Sequence, residues 1–595
     1  MSGQGVLRAI AILVLLFSTL SFAQIADLDV CRRYAQGSEI TEPHQLRSEN
    51  GVLRVSLSLR MSAVPTGETR YCYIDENGNQ APTLRVNPGD FLILKVKNEL
   101  PNKTAIGSVG LEPVVPRASR ARRVRAVDAN CASGGVMNAA STNLHFHGLL
   151  IPPASHQDDV LHTAIRPGDA PYEYRLQIPR NQPPGLYWYH PHPHRHSEEQ
   201  VLGGASGALI VEGIERFESE LAGLPERLLV IRDQLRQSAS EAGVKPPAKD
   251  LSVNFVPVPY PTYPSAIMRI KPSRRELWRV LNASADTFLE LHLLTNGKWQ
   301  SLGLVAIDGV PLDYEEIENE RNKTAHVHWT PSIPIPPGGR AEFIFDSPSE
   351  GQAQLLTAGV DTVPFVDEDD PATANANAIN TTISDDDDYT PPRWIVTIDA
   401  ARDAPEPTSI LPTASSLPEA LKISRASGPP LISVRPTRQR TLYFSEKILD
   451  SKNPSTSTIF YLTEEGHKPS PFDPAAAPNI TVRQGDVEDW VIENRSQEAH
   501  TFHIHQSHFI LLKRDDTDVH ENYLRDTIGV PYWDGTSPHY PRIKLRMDFR
   551  DPAIVGIFPY HCHILQHEDG GMMGSIRVLK PSASKNVRKT KGPIN

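Results

Sequence analysis

Three stretches of this chain share one frame. In the first, Leu84-Arg85-Val86-Asn87-Pro88-Gly89-Asp90 leads through Phe91 to Lys97 and ends at Asn98. In the second, Ile480-Thr481-Val482-Arg483-Gln484-Gly485-Asp486 leads through Trp490, Val491 and Ile492 to Asn494. A degraded copy runs from Ile270-Lys271-Pro272-Ser273 through Trp278-Arg279-Val280-Leu281 to Asn282. In each, the apolar residue before the turn stands twelve positions ahead of the asparagine. Apolar runs on either side of a Gly- or Pro-bearing break read as strand, tight turn, strand. Upstream, Leu53, Val55, Leu57, Leu59 and Met61 alternate with Arg54, Ser56, Ser58 and Arg60, the period of a half-buried strand. A frame met three times points to three related β-domains, where the 595 residues alone suggest about four domains. The 53 prolines agree with an all-β, loop-rich chain, because proline is excluded from helix interiors and central strands.

A second repeat links only the first and third units. Gly185-Leu186-Tyr187-Trp188-Tyr189-His190-Pro191-His192 matches Gly556-Ile557-Phe558-Pro559-Tyr560-His561-Cys562-His563, and His145-Phe146-His147 resembles His503-Ile504-His505. On a strand, residues i and i+2 face the same way, so each His-x-His offers two imidazoles side by side. Four such pairs in a repeated frame are a metal-binding pattern. The last cluster, His561-Cys562-His563 with His567 and Met572, combines thiolate, imidazole and thioether, the donor set of a blue-copper site rather than of a closed tetrahedral zinc site.

The four cysteines then divide. Cys562 is set aside as a metal thiolate, which leaves Cys31, Cys72 and Cys131 with at most one bridge. Cys31–Cys72 is one possibility, and spacing does not fix it. Residues 1–23 read as a secretory signal, with Arg8, an apolar run from Ala9 to Phe17 and a Ser21-Phe22-Ala23 cleavage site, and export makes a bridge possible. This predicts a secreted or periplasmic protein with no integral membrane segment after cleavage. The formal net charge of −11 argues against a nucleic-acid partner. The Asp- and Asn-rich stretch 361–392, the basic stretch Arg117 to Arg125 and the basic tail 583–595 read as solvated segments.

With these motifs in order along nearly the whole mature chain, the sequence resembles the multicopper oxidases, in particular the three-domain bacterial laccase-like type. The resemblance implies three consecutive cupredoxin-like Greek-key β-sandwich domains, at 45–215, 225–400 and 430–582. The first supplies trinuclear-site ligands, the second is a copper-free spacer, and the third carries the type 1 copper and further trinuclear-site ligands. It implies four copper ions. The type 1 ion would be held by His500, Cys562 and His567 with Met572 axial, and the type 2 ion by His145 and His503. The type 3 pair would take His147, His190 and His563 on one ion and His192, His505 and His561 on the other. A shifted register using His194 is the alternative at the second cluster. Glu568 and Asp158 stand where the family places carboxylates that pass protons to the cluster, with Asp159 a rival to Asp158. His508 reads as a residue behind the ligands or on a substrate-facing loop.

The implied activity is one-electron oxidation of phenolic or aromatic-amine donors, coupled to reduction of O2 to water. A cuprous metallo-oxidase is the nearest alternative, disfavoured by only seven methionines without a cluster beyond Met572-Met573. A copper-free structural cupredoxin protein is the alternative of another class, disfavoured by intact motifs. An axial Met572 implies a modest type 1 potential, and donor choice would depend on loops around an exposed edge of His567.

Overall fold

The computed structural model describes residues 29–581 apart from 65–67, 102–136, 237, 239–245, 313, 316–326, 365–389, 414–428, 450–457 and 522. The signal segment, Cys131, the basic stretch, most of the acidic stretch and the tail lie outside the described residues.

Six sheets pair into three sandwiches, each enclosing its own apolar core. In the first, a four-stranded sheet (Thr69–Asp75, Val52–Ala63, Phe91–Asn98, Tyr172–Gln177) faces a five-stranded one (Gln45–Arg47, Thr83–Val86, Gly207–Val211, Gly185–His190, His145–His147). The third repeats this plan. A sheet centred on Arg438–Ile448, Asp486–Asn494 and Arg542–Phe549 faces the ordered strands Ile480–Arg483, Met573–Leu579, Gly556–Cys562, His500–Ile504 and Thr527–Val530. The middle sandwich pairs a nine-stranded with a six-stranded sheet.

The repeated frame has a physical explanation. Gly89, Ser273 and Gly485 occupy the same turn position, and all three have positive φ (94°, 51° and 101°), a conformation glycine adopts without strain. The closing asparagines Asn98, Asn282 and Asn494 are buried and act alike. Each donates through Nδ2 to two backbone carbonyls: Ala140 and Ile165, Thr287 and Ile335, Glu498 and Pro531. Each also accepts through Oδ1 from the backbone N–H two residues on. One asparagine thus pins two or three stretches of loop at the sandwich end, which no apolar residue of that size can do.

Strand Gly185–His190 is buried at every position rather than alternating. Tyr187 and Tyr189 fill the core of the first sandwich, while Leu186 and Trp188 pack on Leu228, Val230, Leu281 and Ala283 of the middle one. The sheet that carries the first histidines is therefore clamped from both sides. Cys31 and Cys72 form a disulfide that ties the N-terminal segment to strand Thr69–Asp75, and Cys562 is the free thiol among the described residues.

Ionic groups reinforce the contact between the first and middle sandwiches. Buried Glu226 accepts from Arg279 Nε at 2.8 Å and from Arg85, while Arg279 also pairs with Glu342 and Arg85 with Glu212. Burial pushes the Glu226 carboxyl up, but Arg279 and Arg85 outweigh it and hold it down to about 2. Replacing Glu226 by Gln leaves two buried guanidiniums without their shared counter-charge, a loss of about 3–5 kcal/mol at neutral pH. The depressed value makes this contribution full above the unfolded value of 4.5 and lost as pH falls toward 2. Thermal melts of wild type and E226Q should therefore be well separated at pH 7 and converge below pH 4.5.

Candidate metal centre

Two antiparallel pairings set the site. His145 stands opposite His190 across strands His145–His147 and Gly185–His190, and His503 stands opposite His561 across His500–Ile504 and Gly556–Cys562. The matched positions make the two halves pseudo-twofold equivalents. The rings obey that symmetry: His145 stacks on His505 at 3.8 Å between centroids, and His147 on His503 at 3.9 Å.

Eight imidazoles, those of His145, His147, His190, His192, His503, His505, His561 and His563, meet in one buried pocket between the first and third sandwiches. The Nε2 atoms of His192 and His505 lie 3.4 and 3.1 Å from Nε2 of His561. The rings of His190 and His563 are 5.6 Å apart, with His147 5.9 and 5.0 Å from them. Those of His145 and His503 are 6.0 Å apart.

Most rings are held from behind by one nitrogen. His145 Nδ1 meets Asp158 at 2.9 Å, His190 Nδ1 the Pro191 carbonyl at 3.0 Å, His503 Nδ1 the Asp526 carbonyl at 2.9 Å, and His561 Nδ1 the Cys562 carbonyl at 2.8 Å. His147 is turned round, with Nε2 on Asp526 Oδ1 at 3.0 Å. The opposite nitrogens, Nε2 of His145, His190 and His503 and Nδ1 of His147, are buried with no hydrogen-bond partner. Burial first, then the neighbouring imidazoles, holds these rings below the usual histidine range, so they are neutral with free lone pairs. Buried nitrogens lacking partners are costly, and inward lone pairs backed by outward hydrogen bonds are how proteins present imidazole to a metal. The donor set fits copper.

The second cluster is smaller. His500 Nδ1, His567 Nδ1 and Cys562 Sγ form a triangle with edges of 3.1, 3.7 and 3.8 Å. That leaves room for one ion at ordinary nitrogen and thiolate distances of roughly 2.0–2.3 Å. Thr501 N–H points at the sulfur from 3.5 Å, and Met572 is buried beside the triangle, its carbonyl accepting from Cys562 N at 3.0 Å. Both imidazoles are fixed through Nε2: His500 by Ser496 Oγ at 2.6 Å and His567 by Glu498 Oε1 at 2.7 Å, with Phe460 stacked on His567. The expected exposed edge of His567 is absent: the ring is 1% accessible because Glu498 and Phe460 cover it.

Of the two acids, Asp158 is brought to the pocket, while the rival Asp159 turns outward to His162 at 2.7 Å. Asp158 accepts from Phe146 N at 3.0 Å and from Gln506, and burial pushes it up to about 8. Glu568 lies 3.4 Å from His192 Nδ1 and accepts from Ser197 Oγ at 2.9 Å. Its Oε2 is 3.1 Å from His561 Nδ1, whose proton goes to the Cys562 carbonyl. Burial, then Asp569, pushes Glu568 well up, against the Ser197 hydrogen bond. His194 stands outside the pocket against Phe472 at 5.4 Å, and His508 is buried rather than on an exposed loop.

Sequence reasoning missed Ser496, Glu498, Asp526 and Arg340. The repeat held a signal for one of them, since Ser496 is the residue whose N–H and Oγ both bond the clamp asparagine Asn494.

The multicopper oxidase family matches the chain at 136–216 and 448–582, the segments that hold all four histidine clusters. A multicopper oxidase of Staphylococcus haemolyticus is 26% identical over 451 residues, 74% of this chain and 77% of that protein. A laccase of Haloferax volcanii is 24% identical, over 76% of this chain and 69% of that protein. Among solved structures, a multicopper oxidase of Campylobacter jejuni described as a metallo-oxidase superposes with a TM-score of 0.58 at 21% identity, covering 92% of this chain and 96% of that one. A laccase-like multicopper oxidase, CueO, of Ochrobactrum sp. gives 0.57 at 18% identity, covering 91% and 100%. The chain is thus similar to multicopper oxidases over the two segments that carry the histidine clusters described above.

Proposed function

We propose that this enzyme couples one-electron oxidation of phenolic or aromatic-amine donors to reduction of O2 to water, with four coppers held by three cupredoxin-like domains at 45–215, 225–400 and 430–582. The observation that carries the reading is the pair of adjoining clusters, one of Nδ1, Nδ1 and Sγ and one of eight imidazoles, joined through Cys562. When bound, copper at the first cluster would accept single electrons from the donor, and copper at the second would supply the four-electron reduction of O2. His500, Cys562 and His567, with Met572, would hold the type 1 ion, and His145 and His503 the type 2 ion. His147, His190 and His563, and His192, His505 and His561, would hold the type 3 pair.

The chain's own residues supply the rest. Cys562 is covalently next to His561 and His563, and its carbonyl accepts from His561 Nδ1 at 2.8 Å, so the two clusters share a short backbone link. Glu568 and Asp158, both buried and pushed toward the protonated state, can each hold a proton beside the pocket histidines. Glu498, bonded to the outer nitrogen of His567 and nearly buried, would be the carboxylate nearest that ring to accept a proton from a donor. Among the described residues no helix is long and apolar enough to cross a membrane. Secretion or periplasmic residence rests on residues 1–23.

Copper analysis with an absorption spectrum tests the reading. The folded, reconstituted chain should hold about four coppers and be blue, and a folded chain without copper would overturn it. Cys562→Ser should abolish the blue band and donor oxidation together, with copper remaining at the second cluster.

Glu568→Gln should leave the blue band and anaerobic donor oxidation unchanged. It should slow reoxidation by O2 by on the order of 100-fold, the usual weight of one proton-transfer group, as read by stopped-flow return of colour. Steady-state comparison of a phenol with Cu(I) decides the donor class, and the phenol is expected to give the higher kcat/KM.

A further inference from the structure

The pseudo-twofold of the eight-histidine pocket pairs two carboxylates, Asp158 and Asp526. Asp158 lies 2.9 Å from His145 and 4.0 Å from His505, and Asp526 lies 3.0 Å from His147 and 3.6 Å from His503. Beyond these imidazoles their surroundings differ. Asp158 accepts from an N–H and an amide, whereas Asp526 engages a guanidinium with both oxygens, at 2.7 Å (Arg340 Nη1 to Oδ1) and 2.6 Å (Arg340 Nη2 to Oδ2).

Arg340 belongs to neither sandwich that supplies the histidines. It begins strand Arg340–Asp346 of the middle one, and its side chain is fully buried. All five of its side-chain N–H groups are used. The three not given to Asp526 go to the carbonyls of Gly338 (3.1 Å), Asp308 (2.8 Å) and Leu186 (3.3 Å). Asp308, also from the middle sandwich, closes the frame by accepting from the backbone N–H groups of Arg340, Asp526 and Thr527. The Asp526 carboxylate cannot rotate without breaking a bidentate charge-assisted pair. The backbone packs onto it as well: a Cβ on Gly148 would stand 2.5 Å from Arg340 Nη2 and 2.7 Å from Asp526 Oδ2.

We propose that Arg340 is a positioning residue for the eight-histidine pocket, holding Asp526 so that His147 keeps Nε2 outward and Nδ1 inward. The proposal rests on the copper reading above. His145, His190 and His503 take their outward bond at Nδ1, so His147 is turned the other way, toward the carboxylate that Arg340 holds and the Thr527 hydroxyl that donates to that same carboxylate. Without the guanidinium the carboxylate loses its orientation, and the His147 ring is free to flip and exchange its inward nitrogen. The middle sandwich, itself without histidine clusters among the described residues, thereby governs metal retention at a site built by its neighbours.

The test uses Arg340→Met and Arg340→Lys, with Arg279→Met as a control that removes another fully buried guanidinium, one that bonds Glu226 and Glu342 rather than a carboxylate against the histidines. Each full-length variant is reconstituted, then followed for thermal melting, blue absorbance, type 2 electron paramagnetic resonance and copper retained under chelator. Both arginine losses should lower the melting temperature. Only R340M should weaken trinuclear copper, by roughly 10–100-fold in chelator resistance, as is usual when the partner of a ligand is lost. It should also alter the type 2 resonance while the blue band persists. R340K, which keeps charge and one bond, should fall between wild type and R340M and covers the case in which R340M does not fold. Wild-type chelator resistance and type 2 resonance in R340K and in any R340M that folds would overturn the proposal, as would the same copper loss in R279M. Wild type that binds no copper would instead overturn the copper reading itself.

Discussion

Eight imidazoles share one buried pocket, and that placement is tolerable only if each ring is told which nitrogen to turn inward. Most of the surrounding structure serves this requirement. The strand pairings His145–His190 and His503–His561 bring the rings together, and carbonyls and carboxylates behind them fix the tautomers. The pocket rests on backbone register, so a one-residue slip in any of four strands would turn its histidines to the wrong face. The clamping of strand Gly185–His190 between two cores and the asparagines that pin the sandwich ends guard against such a slip.

The two clusters differ in how they are buffered from their surroundings. The triangle of His500, Cys562 and His567 is held by groups of its own sandwich: Ser496, Glu498, Phe460 and, through Ser496, the repeat asparagine Asn494. The larger pocket is held jointly by all three sandwiches, with Glu568 and Asp526 from the third, Asp158 and Ser197 from the first, and Arg340 and Asp308 from the middle. Breaking the Arg340–Asp526 contact between the middle and third sandwiches therefore acts on the larger pocket and leaves the holders of the triangle in place.

What was legible in the sequence follows from what repeats. The strand–turn–strand frame and the His-x-His pairs recur at fixed spacing, and the all-β fold, the clustering of the histidines and the separate chemistry of Cys562 came from those spacings. Asp526, Arg340 and Asp308 could not be found in this way. Asp158 follows His147 after a loop of one length and Asp526 follows His505 after another, so the symmetry that relates the acids in space is lost along the chain. Arg340 acts across sandwiches, on a partner 186 residues away. The buried state of His567 was missed for a related reason: what covers it is Phe460, from a strand that no metal motif marks.

The larger pocket is assembled from strands at opposite ends of the gene product. His192 and His503 are separated by more than three hundred residues. At roughly 5–20 residues per second, a ribosome needs on the order of 15–60 s to travel from one to the other. During that interval the first four histidines exist without their partners, although the middle unit that clamps their sheet is itself made within it. A copper ion met then could be held only by an unfinished half. A complete eight-imidazole pocket is in this sense a late product, set by completion and docking of the last sandwich rather than by the appearance of the first histidines.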